Sequence, residues 1–200
     1  MKAPLLKERL ERTIAHLLSL DIRERLKRKG IPFEERGSRL FFSIPLLGEE
    51  VAIEAPPFSF KAKRGRAIEP VEKVLLLEYL ACDPESPVTG GDADWIPLEG
   101  TLKERAKGAI DRLSQALSEG QDFVRKAILE MGGTVLAPST FILEPLPRHL
   151  LLLRHGEGLE VFISAALRAV LSDDAVVALL KVLQRRVMKR ARRMYEEAMA

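Results

Sequence analysis

The sequence predicts an α+β fold: a single domain with a mixed or mainly antiparallel sheet, flanking helices and a long C-terminal helix. Three observations carry this reading. Apolar residues recur at helical spacing near the N-terminus, as in Leu6, Leu10, Ile14, Leu17 and Leu18, and again near the C-terminus. Two internal blocks are β-branched, aromatic or alternating, and are cut by Pro and Gly. Of the 200 residues, 46% are hydrophobic and 30% charged, the balance of a globular chain. A chain of this length buries roughly 70% of its unfolded surface. Helices that bracket and alternate with separate β blocks argue for α+β.

Pro4 to Lys29 reads as an amphipathic helix, with Asp21 placed to break it or to cap a second short helix over residues 22–29. Gly30 and Pro32 stop it. Arg39–Ile44 and Glu50–Glu54 pair as a hairpin about a turn at Pro45–Gly48, and Phe58–Phe60 adds a short strand before the basic loop Lys61–Arg66. Pro70–Cys82 is a buried helix with Pro70 in its first turn. A loop runs to Asp92, and Asp94–Leu98 is extended around Trp95, the only tryptophan. Leu102–Leu117 is helical, with Leu102, Ala106, Ile110, Leu113 and Leu117 on one stripe. Gly120 interrupts, and Asp122–Met131 is helical before Gly132 and Gly133.

Four strands follow, near 135–136, 140–143, 149–153 and 159–163, then a short helix over 164–171. Ser172 or Asp173 caps the last helix, which runs to the region of Ala198. The chain divides on this reading into an N-terminal helical segment (1–29), an α+β core (30–183) and the basic end of the last helix (184–200).

Composition narrows the function classes. Net charge is +3, too small to imply a nucleic-acid partner by itself. Cys82 is the only cysteine, which excludes an intrachain disulfide and any cysteine-based zinc or iron–sulfur site, and suggests the reducing cytoplasm. Charges interrupt the N-terminus too often for a signal peptide, and apolar runs such as Leu150–Leu153 are too short to span a bilayer. Asparagine is absent and glutamine occurs only at 115, 121 and 184. That is a thermophile-like pattern, which GC-rich coding also produces.

No P-loop, dinucleotide-binding glycine motif, nucleophile elbow or H-E-x-x-H helix is present. His149 and His155 flank an apolar strand with even spacing, which points both to one face, and Glu157 follows. Those three are the candidate set for a metal-dependent enzyme. The acids around Trp95 (Asp83, Glu85, Asp92, Asp94 and Glu99) read as a solvated loop, since only one D-x-D pair is present. Cys82 precedes an acid, which opposes thiolate formation. The last helix carries Lys181, Arg185, Arg186, Lys189, Arg190, Arg192 and Arg193 with no acid among them. A nucleic-acid module would use Lys189, Arg190, Arg192 and Arg193, joined by the loop Lys61–Arg66.

Several blocks, in order, carry a family likeness: GIPFEERGSRLFFSIPLLGEEVAI, KVLLLEYLACDPESPVTGGDADWIPLEG, LEMGG, LPRHLLLLRHGEG and LRAVLSDDAVVALLKVL. In these landmarks residues 30–183 resemble the prokaryotic family catalogued as domain of unknown function 3786. The family tends to carry a Gly-Asp-Glu-Glu-Phe run where this chain has Gly156-Glu157-Gly158-Leu159-Glu160. Some relatives are fused to a four-cysteine iron–sulfur module and are linked to anaerobic redox or corrinoid metabolism. This chain lacks those cysteines, so the resemblance implies no cluster and no cofactor.

The expectation is a cytoplasmic, non-catalytic binding or accessory protein whose partner is another protein or a small molecule. Its pocket is expected where the Trp95 loop meets the turn after the third strand of the second block, from Trp95, Asp94, Arg154, His155 and Glu157. The amphipathic terminal helices are also suited to pairing in a homodimer.

Overall fold

Asp21 is the break within the N-terminal helical segment. Its carboxylate accepts a hydrogen bond from the Glu24 N–H at 3.3 Å, and so caps α2 (Ile22–Arg28) after α1 (Ala3–Leu18). The computed structural model describes residues 3–81, 94–147 and 149–200; Cys82, Asp83, Glu85 and Asp92 lie outside the described residues.

The first sheet is an antiparallel meander of β1 (Phe33–Arg36), β2 (Arg39–Leu46), β3 (Glu49–Ala55) and β4 (Ser59–Ala62). Leu40, Phe42, Ile44 and Leu46 of β2 and Val51, Ile53 and Ala55 of β3 are buried, as the two-residue period requires. The expected turn at Pro45–Gly48 is shorter than the sequence reading. Pro45 is a strand residue opposite Glu50. It is tolerated there because β1 pairs β2 only as far as Phe42, so β2 has no neighbour on that side at Pro45. The turn is Leu47–Gly48, with φ of 50° and 76°, the left-handed pair of a two-residue hairpin.

The second sheet has the order β5 (Trp95–Pro97), β9 (Leu159–Ser164), β8 (His149–His155), β7 (Thr140–Leu146) and β6 (Gly133–Ala137), all antiparallel. Phe141, Leu143, Leu151, Leu153, Val161 and Ile163 bury one face. β2 and β7 bring the two sheets into contact. The Leu47 N–H donates to the Pro145 carbonyl at 2.8 Å, and Gly48 lies against the backbone of Glu130–Gly132.

Helices and both sheets contribute to one hydrophobic core. α3 (Pro70–Ala81) is buried from Val74 to Leu80, an apolar run interrupted only by Glu78. α4 (Gly100–Glu119) packs on β9, and α5 (Gln121–Glu130) leads into β6. α6 (Ala165–Val170) is capped by the Ser164 hydroxyl, which accepts from the Leu167 N–H. α7 (Asp173–Met199), capped by Ser172, contacts α3, α4 and α5. Val187 and Ala191, in the basic end of this helix beyond residue 183, are buried. Among the described residues, no helix is long and apolar enough to cross a membrane.

Candidate functional site

Three helices leave a cleft of about 440 Å³ on the surface of α7. α4 and α7 run parallel: Arg105 pairs with Asp174 near their starts, and seven residues further along each, Arg112 and Lys181 both line the cleft. α3 runs the other way, since Glu69 at its start pairs with Arg185 while Glu78 near its end lies by the Ser172 backbone. The floor is small and apolar: Gly108 and Ala109 from α4, Ala178 from α7 and Val71 from α3. The walls are Arg112, Lys181, Gln184 and Arg185.

The wall residues differ in how they are satisfied. Arg185 donates to Glu69 at 3.0 Å. Arg112 and Lys181 have no ion-pair partner among the described residues. Gln184 is mostly buried, lines the cleft, and its amide has no hydrogen-bond partner among the described residues. Its amide atoms keep contact with the solvent of the cleft, so they are open to a ligand without being strained by the fold. Gly108 is equally unforced by the fold. It sits inside a 20-residue helix without a left-handed φ, and a Cβ built on it meets nothing within 4 Å. Glycine there is roughly 1 kcal/mol worse than alanine.

Beside the cleft lies an internal ion network. Glu72 is fully buried on α3. Arg66 reaches it with both terminal nitrogens at 2.8 and 2.6 Å, and the Glu69 N–H donates to it at 3.3 Å. Arg66 also donates to Glu49 at 2.8 Å, and Arg186 of α7 donates to Glu49 at 3.0 Å. Burial pushes the Glu72 carboxyl up, but the hydrogen bonds and charge of Arg66, with Arg186 behind it, outweigh burial and hold it below the ordinary carboxylate range.

This network changes the meaning of the basic helix. Its sequence carries no acid from Lys181 to Arg193, yet the fold supplies them from elsewhere. Glu69 meets Arg185, Glu49 meets Arg186, and Glu130 meets Arg190 at 2.7 Å. Glu196 lies 3.8 Å from Arg192. Of the proposed nucleic-acid residues, Lys189 and Arg193 have no ion-pair partner among the described residues, while Arg190 and Arg192 do. Arg66 of the basic loop does approach α7, but as a member of the internal network.

The pocket expected from Trp95, Asp94, Arg154, His155 and Glu157 is not assembled. Trp95 pairs with Ser164 at the end of β9, whereas His155 pairs with Leu159 at its beginning. Five residues of strand separate these positions, about 17 Å. Trp95 is half-buried on the sheet face, and Asp94 is exposed, its carbonyl accepting from the Ala165 N–H at 2.9 Å. Arg154 pairs with Glu160 at 2.9 Å and stands over the Phe162 ring at 5.0 Å. The His155 ring is 3.2 Å from the Ser118 hydroxyl, and Glu157 is exposed in the β8–β9 turn.

The set His149, His155 and Glu157 fails for a related reason. The two histidines do share a face of β8, but they are six residues apart, about 20 Å along the strand. No single ion reaches both. No group of three metal-ligating side chains occurs among the described residues.

His149 is instead a core residue. It is 3% exposed and meets the Tyr79 ring edge-on at 5.5 Å. Burial, with the charge of Lys29 second, pulls its pKa down to about 4. The folded state thus resists a proton that the unfolded state takes near pH 6.5. Stability is fully present above 6.5, falls as pH drops toward 4, and loses roughly 3 kcal/mol over that window. His149→Phe keeps the ring contact and removes the titration. Its unfolding free energy, measured in urea between pH 7.5 and 4.5, should fall less than that of the wild type. Parallel pH profiles for the two proteins would contradict this assignment.

The fold and the cleft together define a class: a single α+β domain in which two antiparallel meanders share a helical core, with a cationic cleft on the last helix. Residues 21–167 match the family described as Domain of unknown function (DUF3786), and the chain belongs to that family. No curated protein and no solved structure matched the chain.

Proposed function

We propose that this protein is a cytoplasmic, non-catalytic binding protein that holds a small anionic molecule in the cleft between α3, α4 and α7. The observation that carries the reading is the pair of unpartnered cations, Arg112 and Lys181, beside the unpartnered Gln184 amide in one concavity. The volume lies within the range of small-molecule sites. Among the described residues, no carboxylate, imidazole, thiol or hydroxyl lines the cleft, so these residues offer charge and hydrogen bonds but no general acid–base pair. An accessory role in anaerobic redox or corrinoid metabolism is suggested only by the family resemblance. The nucleic-acid reading draws less support, since Arg185, Arg186, Arg190 and Arg192 already have carboxylate neighbours.

Thermal unfolding in the presence of phosphate, sulfate, carboxylate and phosphate-ester probes tests this. A ligand at a hundredfold its Kd adds about 2.7 kcal/mol to folding, which raises Tm by roughly 5–10 °C for a chain of this size. At least one anion should produce such a shift, and the Arg112→Gln/Lys181→Gln variant should lose it. No shift with any anion, or the same shift in the variant, would remove the basis for the cleft as a binding site.

A further inference from the structure

Resting on that reading, we infer that the cleft takes a phosphomonoester: one dianionic head held by Arg112, Lys181 and Gln184, joined to an apolar body lying against Gly108. The head follows from the charges left over. Arg185 is neutralised by Glu69 at 3.0 Å, so two positive charges, Arg112 and Lys181, are unmatched. A monoanion leaves one of them unmatched, and a trianion must compete with Glu69 for Arg185. A phosphate ester near pH 7 carries about two charges on one compact group. The Gln184 amide adds both a donor and an acceptor, so it serves a phosphate oxygen or a hydroxyl equally well.

The body follows from the floor. Gly108, Ala109, Ala178 and Val71 offer no polar side-chain atom. A bare phosphate held by the walls would leave that surface in water. Gly108 gives the sharper indication. Neither backbone conformation nor packing requires glycine there, and the helix would be better served by alanine. What the missing side chain supplies is space in the cleft, so that a flat or aliphatic group can approach the α4 backbone.

The test is calorimetric titration of the full chain with four probes: inorganic phosphate, phenyl phosphate, phenyl sulfate and succinate. Phenyl phosphate should bind at least tenfold more tightly than each of the others. Its affinity should fall about tenfold per pH unit below the second phosphate pKa, near 6. Gly108→Leu, which favours the helix and meets no protein atom at its Cβ, should weaken phenyl phosphate at least tenfold and leave inorganic phosphate unchanged.

Phenyl sulfate binding as tightly as phenyl phosphate would overturn the dianionic head, and succinate, whose two charges sit on separate carboxylates, binding as tightly would overturn the single phosphate group; either result leaves an anion cleft standing. Unchanged phenyl phosphate affinity in Gly108→Leu would overturn the placement of the body. If none of the probes binds the wild type, or if Arg112→Gln/Lys181→Gln binds them as well as the wild type does, the anion cleft itself is refuted.

Discussion

Gly48→Val is expected to lower Tm by roughly 10 °C, the largest effect of any single substitution considered for this fold. Two costs add at this position. Its φ of 76° lies in the left-handed region, where a side chain costs about 1–2 kcal/mol. A Cβ there also lies 3.0 Å from the Met131 carbonyl carbon and 3.2 Å from the Glu130 oxygen and the Gly132 nitrogen. All three are backbone atoms that cannot swing aside, so an overpacking cost of about 1–3 kcal/mol follows. Gly37→Ala is the control, because its φ of 63° is equally left-handed while its Cβ meets nothing within 4 Å. Urea midpoints of the two variants separate conformational strain from collision. Equal losses in both would mean that the two sheets do not depend on the close approach at Gly48.

Glu72→Ala should cost about 2–4 kcal/mol, because it leaves Arg66 and Arg186 facing each other at a buried position. The upper end of that range is tempered by Arg66, which keeps a third of its side chain in water. The pH dependence has a definite sign. A carboxyl held below its ordinary value of 4.5 contributes stability at neutral pH and loses it as pH falls below that value and through the folded pKa. The variant should therefore lose stability at pH 7 and show a flatter acid limb in urea titrations.

Glu78, two turns along the same helix, gives the opposite case. It pairs with Arg9, but burial outweighs that pair and raises its carboxyl. Its ionised form is a burden that grows as pH rises from 4.5 through the folded pKa. Glu78→Gln should leave stability at pH 7 unchanged or slightly higher. A loss as large as that of Glu72→Ala would contradict the assigned signs.

The elements were largely legible because their signals are local. Asp21, Ser164 and Ser172 sit where helices are capped, and the alternation in β2, β3, β7 and β9 is visible residue by residue. β1 was missed because Glu34, Glu35 and Arg36 do not look like strand residues. As an edge strand with three exposed charges, it follows the chemistry that protects edges rather than the chemistry of cores. The site was not legible. Arg112 and Lys181 are 69 residues apart in sequence, and only the parallel packing of α4 and α7 brings them to one concavity. The one local hint was Gly108, a helix-interior glycine with no turn to make. The basic run of α7 misled for the same reason: its counter-charges at Glu49, Glu69 and Glu130 come from distant parts of the chain.

The position of α7 along the chain has a consequence for biosynthesis. Val176, Val177, Leu179, Leu180, Leu183 and Val187 all belong to the shared core, and all lie beyond residue 167, where the family match ends. Everything before Asp173 leaves the ribosome without the helix on which α3, α4 and α5 converge. The earlier helices and both meanders must therefore wait with apolar faces uncovered, and the domain locks only after the last of its large helices has emerged. Its folding waits on α7, and until that helix docks the uncovered apolar surface is open to chaperones and proteases.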